Sequence, residues 1–177
     1  MKNATCHTLI LAAAFLAALP AGAHANGYKI LGMQSARAAG MGDAGAATAD
    51  APSAVALNPA GLPQLKGTQI SVEATTCNSY TRHTAPSGHT TRMEENWQVV
   101  PAVFATADAG LKDAVFGLGF SVPNGLSSEW ADDGFARYVA TYSRLQVTDI
   151  SPAVGLRLSD DLLIGVGLDL YASEARR

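Results

Sequence analysis

The chain is poor in cysteine, with two in 177 residues. Cys6 falls within an N-terminal stretch that reads as a removable leader, so Cys77 alone remains and a disulfide framework is excluded. Charge is also sparse, with 12 Lys and Arg against 15 Asp and Glu and a net charge of -3. No basic run interleaved with aromatics occurs, so nothing points to nucleic acid as a partner. After residue 25 no apolar run approaches the roughly 20 residues of a spanning helix. No G-x-S-x-G elbow is present, and the histidines have no Ser and acid in a recognisable arrangement, so the chain does not read as an enzyme and implies no cofactor. What it does have is apolar content, 48% of its residues. An exported chain of that composition, without staples or spanning helices, points to membrane strands.

The export signal is read from the first residues. Lys2 gives a positive start, Leu9 to Leu19 is unbroken apolar sequence, and Ala23-His24-Ala25 is a small-x-small cleavage site. Residues 1–25 are therefore expected to be a signal peptide. Pro20 and Gly22 close an apolar run too short for an anchor.

The strand signal is clearest in residues 162–172. Leu162, Ile164, Val166, Leu168, Leu170 and Ala172 share one face, whereas Gly165, Gly167 and Asp169 occupy the other. Residues 114–122 repeat the arrangement, with Phe116, Leu118 and Phe120 opposed by Gly117, Gly119 and Ser121. One face suits lipid and the other a roomy interior. A soluble sandwich would place its bulk in a dry core instead. Further strands are expected at residues 68–75, 97–106 and roughly 138–158, and the connectors alternate long, short, long, short. That rhythm belongs to outer-membrane barrels, with long external loops and short periplasmic turns. Apolar residues change phase in the fourth strand, from Leu145 and Val147 to Ile150, Val154 and Leu156, so a bulge is expected near Asp149, with Pro152 at a bulge or edge position.

Residues 26–66 are rich in Ala and Gly and too small-chained to build a core alone. A short helix is expected from Asp50, Pro52 and Ser53 to about Leu57, ending where Asn58 precedes Pro59. Gly40, Gly42 and Gly45 spell the dinucleotide fingerprint but lack the buried strand that must precede it, so glycine packing is the better reading. His83, His89 and Cys77 match no metal spacing, nor do Glu129, Asp132 and Asp133 match a calcium loop. Trp130 and Tyr138 are candidate membrane-boundary anchors or ordinary loop residues.

Taken in order, the stretches Gly40 to Ala47, Asp50 to Leu62 with Asn58-Pro59-Ala60 inside it, Phe116-Gly117-Leu118-Gly119-Phe120, Asn124 to Trp130, and Arg137-Tyr138 resemble the FadL/TodX family of outer-membrane transporters. The resemblance implies an all-β, transmembrane antiparallel barrel of fourteen strands with a small helical hatch in its lumen. On that mapping residues 26–66 are the hatch, Asn58, Pro59 and Ala60 its motif, and residues 67–177 the first five strands. It also implies a kink and lateral opening in the third strand at Phe116, Gly117, Gly119 and Phe120. The expected activity is passive uptake of hydrophobic compounds, such as long-chain fatty acids or aromatic hydrocarbons, across the Gram-negative outer membrane. The expected partners are outer-membrane lipid, a hydrophobic small molecule and the barrel-assembly machinery. Because family members are much longer, the chain is expected to be an N-terminal fragment or truncated product. A secreted or periplasmic all-β binding or adhesion module is the alternative.

Overall fold

The structure is a computed structural model that describes residues 34–139 and 141–177. The expected signal peptide, residues 1–25, lies outside the described residues.

Three short helices come first, α1 at Ala36–Gly40, α2 at Gly45–Thr48 and α3 at Ala54–Leu57, followed by a 3-10 helix at Pro59–Gln64. Ser35 caps α1 by accepting from the Ala38 amide. The expected helix start at Asp50 is corrected: α3 begins after Ser53, and no side chain caps it. Asp50 is drawn to α1 instead, where Arg37 lies 2.7 Å from its carboxylate. That guanidinium, hydrogen-bonded to Asp50, holds the carboxyl below its ordinary range.

The remainder is strand. β1 (Thr68–Asn78), β4 (Trp97–Ala107), β5 (Ala114–Glu129), β6 (Tyr142–Ser159) and β7 (Leu162–Gly167) lie side by side in that order, all antiparallel, and β8 (Leu170–Arg176) also pairs with β6. The sheet is open, with β1 at one edge and β7 and β8 at the other. Two differences from the expected strands have local causes. The connector expected after residue 77 contains a hairpin of β2 (Arg82–Thr84) and β3 (Thr90–Arg92). The single strand expected at residues 162–172 is divided, because Leu168 and Asp169 face the part of β6 that contains Pro152. Pro152 accepts from the Leu168 amide but has no N–H to return, so the ladder lapses there and resumes in the same register.

The phase change in β6 also has a different origin. β6 pairs with β8 without a shift from Arg144 to Ile150, whereas β5 opposes it with an extra residue between Ser121 and Asn124. The bulge lies in β5, directly across the ladder from Asp149. Leu145 and Val147 therefore belong to the same face as Asp149 and Ser151, which are fully buried under the helical segment.

The two faces differ as the alternation demands. One carries the helical segment and a core of Ala49, Ala54, Val55, Leu62, Leu65, Ala102, Phe104 and Val115. The opposite face carries Ile70, Val72, Val103, Phe116, Leu118, Phe120, Ile150, Ile164, Val166, Leu168 and Leu170, all substantially exposed. Such a continuous apolar surface is far beyond the patches that soluble monomers expose.

The short-turn end is tied by Asp108. One carboxylate oxygen accepts from the Gly67 amide at 2.7 Å, where the helical segment passes into β1, and the other from the Gly110 amide at 3.1 Å. Ala109 and Gly110 both have positive φ, and the Leu111 amide closes the turn on the Asp108 carbonyl, as a tight hairpin between twisted strands requires. The amides of Gly110 and Gly67 lower the Asp108 pKa below its ordinary 3.8. The carboxylate is depressed, so its tie is present above the ordinary value and lost as pH falls through the folded one. Protection of the Gly67 and Gly110 amides, taken relative to the intrinsic exchange rate at each pH, should fall across that acid window, and Asp108→Asn should abolish the pH step. An unchanged step in the variant would assign it to another group.

Candidate functional site

Two features stand out on the sheet, a seat for the helical segment and a gap in the ladder. The seat is made of missing side chains. Val115, Gly155 and Gly165 lie in register across three strands, as do Gly117, Ala153 and Gly167 in the next row. A methyl group at Gly155 would come within 2.6 Å of the Pro59 carbonyl oxygen and of Pro63, and one at Gly165 would collide with the backbone of Pro59 and Ala60. Only glycine permits that approach of two chain segments. One strand further, Val55 and Leu62 fill the space left by Gly117, while Phe104 and Val55 pack over Gly119.

Asn58, Pro59 and Ala60 are thereby brought together with the strands. Asn58 faces its own segment, with its side-chain amide donating to the Ala46 carbonyl at 2.9 Å, and so ties α2 to the end of α3. Pro59 and Ala60 press onto Gly155 and Gly165. Arg157 adds a polar clamp beside this contact by donating to the Pro63 carbonyl at 3.0 Å. Further along, Glu73 of β1 accepts from the Ala36 amide, and buried Gln34 donates to Ser121 at 3.0 Å.

The gap lies between β4 and β5. Their pairing runs from Ala107 and Phe116 to Ala102 and Ser121, then stops, although both strands continue. The next residue of β4 is Pro101, and the bulge of β5 comprises Val122 and Pro123. Neither proline has an N–H for a ladder. The strands rejoin at the far end, where the Glu94 amide donates to the Glu129 carbonyl and the Asn96 side chain to Ser127, each at 2.8 Å. Between these limits is an opening of about 570 Å3, lined chiefly by Val99, Pro101, Phe120, Val122, Tyr142 and Leu145, with Glu129 and Arg144 at the long-loop side. At its base on the helix-bearing face, Gln34, Ser121, Asp149 and Ser151 are all buried, and the Ser151 hydroxyl donates to Asp149 at 2.9 Å.

The residues expected at a third-strand kink divide between these features. Phe120 lines the opening, Phe116 lies further down the exposed face, and Gly117 and Gly119 lie beneath the helical segment in regular ladder. Pro101 and Pro123 were not singled out from the sequence, although proline inside a strand pattern was the available signal. In the loops, His83 of the hairpin stacks on Phe135 at 4.0 Å, and Trp130 meets the same ring edge-on. Tyr138 is exposed beneath the Arg137 guanidinium. Among the described residues no group of three or more His, Cys, Asp or Glu is placed to hold a metal ion.

An antiparallel sheet with an apolar outer face and an inner face covered by a helical segment defines a class, the outer-membrane type of β-barrel wall. The family model for outer membrane protein transport proteins, OMPP1/FadL/TodX, matches residues 16–176, and the chain belongs to that family. A solved FadL homologue from Pseudomonas aeruginosa shares the fold with a TM-score of 0.59 at 16% identity. The match covers 71% of this chain and 33% of that one, so the chain spans about a third of the length of that structure. No curated protein sequence matches the chain.

Proposed function

We propose that this chain contributes to passive uptake of hydrophobic compounds through the outer membrane, with residues up to Lys66 as a hatch and the opening between β4 and β5 as a lateral exit. The observation that carries the reading is the gap itself, which starts where Pro101 and Pro123 end the ladder and is lined by residues of both faces, Val99 and Phe120 of the outer one and Val100 and Leu145 of the helix-bearing one. Physics favours a sideways route. An alkyl chain gains about 0.8 kcal/mol for each methylene taken out of water, so release into aqueous space is costly where release into lipid is not. The apolar lining of Val99, Phe120, Val122 and Leu145 supports this route, since such a compound would meet apolar side chains on its way to lipid. Long-chain fatty acids and aromatic hydrocarbons both fit this chemistry, and hatch displacement would open the path to them. Outer-membrane lipid and the barrel-assembly machinery are the partners this reading requires.

Filling the opening tests it. Gly125 and Val122 line the gap, and Gly125→Trp with Val122→Trp should reduce uptake of a fluorescent fatty acid by cells at least about tenfold, equivalent to about 1.4 kcal/mol at the barrier. Surface display of the protein should be unchanged. Undiminished uptake with the gap filled would remove the lateral route.

A further inference from the structure

The outer face ends at a pair of arginines. Arg144 of β6 and Arg176 of β8 are directly opposite each other in the ladder, and Gln146 lies opposite Glu174 one step nearer the apolar surface. All four share the outer face with Ile150 and Leu170 and line a small cleft of about 100 Å3. Arg144 donates to Gln146 at 2.7 Å and Arg176 to Glu174 at 2.6 Å. These bonds occupy one nitrogen of each guanidinium, which carries five N–H donors in all.

Like charges directly across a ladder repel. Glu174 offsets one of them, leaving a net positive cleft. Its height matters: Thr148 and Ala172 are the last uncharged pair of the outer face, and Tyr142 lies two residues beyond Arg144 on the same face. Amphipathic rings mark the head-group zone of a bilayer. The arginine pair therefore sits between hydrocarbon and water, at the long-loop end. The turns at the other end carry Asp108, Asp113, Asp160 and Asp161 against Lys66 and Lys112, an acidic balance in which no arginine pair recurs.

We propose that Arg144 and Arg176 clamp a phosphate of an outer-leaflet glycolipid, whose acyl chains lie along the apolar face below. The inference rests on the outer-membrane reading of the sheet. A planar guanidinium pair suits the shared oxygens of a phosphate, which also relieves the repulsion between the two cations.

The test uses the full chain in phosphatidylethanolamine vesicles containing either diphosphoryl lipid A or its dephosphorylated form, with glycolipid retained per protein measured after detergent extraction. Wild type should retain the phosphorylated form, and Arg144→Gln with Arg176→Gln should retain about thirtyfold less, from about a fivefold contribution per surface cation. Lysine at both positions keeps the charge and should recover most of the retention, which distinguishes lost attraction from a lost fold. Equal retention by the glutamine variant, equal retention of the dephosphorylated glycolipid, or complete displacement by inorganic phosphate would each overturn the clamp. Failure of the wild-type chain to enter either vesicle would overturn the outer-membrane reading and the clamp with it.

Discussion

Gly165→Leu is expected to unseat the turn at Pro59 and Ala60 from the sheet, at a cost of about 3 kcal/mol, the upper end of what overpacking a tight contact usually costs. The reason is specific to this position. A side chain there meets backbone atoms of Pro59 and Ala60, which cannot rotate aside as a side-chain tip could. Gly167 on the same face provides the control. A methyl group at Gly167 would lie 3.3 Å from Pro59 Cγ and 3.7 Å from the Ala153 methyl, so Gly167→Ala should change stability by no more than about 0.5 kcal/mol. The readout is limited proteolysis around Asn58 as denaturant is raised, with unfolding of the sheet followed separately. Early cleavage in Gly165→Leu, with wild-type behaviour in Gly167→Ala, is the expected pattern. A leucine variant as protected as wild type would mean that the contact is looser than the fold shows.

The adjacent residue tests the other face. Val166 is 64% exposed and lies midway along the outer apolar run from Leu162 to Leu170, opposite Val154. Arginine at mid-bilayer on a barrel's outer face costs about 2–4 kcal/mol. Val166→Arg should therefore lose that amount of stability in lipid, and its yield in the outer-membrane fraction should fall. If the face met water instead, the same change would be nearly neutral. Equal stability of the variant and wild type in a bilayer would assign the face to solvent and favour a soluble binding module.

The contrast between Gly165 and Val166 also shows which parts of the fold were legible in the sequence. Period-two alternation identifies faces, and the residues read as outward, from Leu162 to Leu170, are exposed on one face. In the sequence, the glycines opposite them read as leaving room. They do leave room, but it is occupied: Pro59, Ala60, Leu62 and Val55 fill it. That contact joins residues about a hundred positions apart, so no local pattern contains it. The motif around Asn58 was legible as a resemblance, whereas its division of labour was not, with Asn58 facing inward to Ala46 and Pro59 outward to the strands. The bulge shows the same limit from another side. An out-of-phase strand requires an extra residue somewhere, but β6 alone could not show that the residue belongs to β5.

Strand ends are hidden in the sequence where polar residues continue a ladder. β5 runs to Glu129 through Asn124, Gly125 and two serines, which read as loop but pair with Tyr142 to Val147. In contrast, Tyr138 and Val139 read as strand and fold in a turn, with the Val139 amide donating to the Ala136 carbonyl. Edge and rim segments take their structure from a neighbouring strand, so composition is a poor guide there.

Pro101 and Pro123 fall in adjacent strands at one height of the sheet, where the ladder between β4 and β5 ends. Mechanically they open a seam. Below it β4 and β5 are joined to each other as well as to their outer neighbours; beyond it β4 is held by β1 and β5 by β6, with no ladder between them. Parting the two strands along this seam costs only the contacts at its far end, from Glu94 to Glu129 and from Asn96 to Ser127, whereas parting them below it would break a ladder.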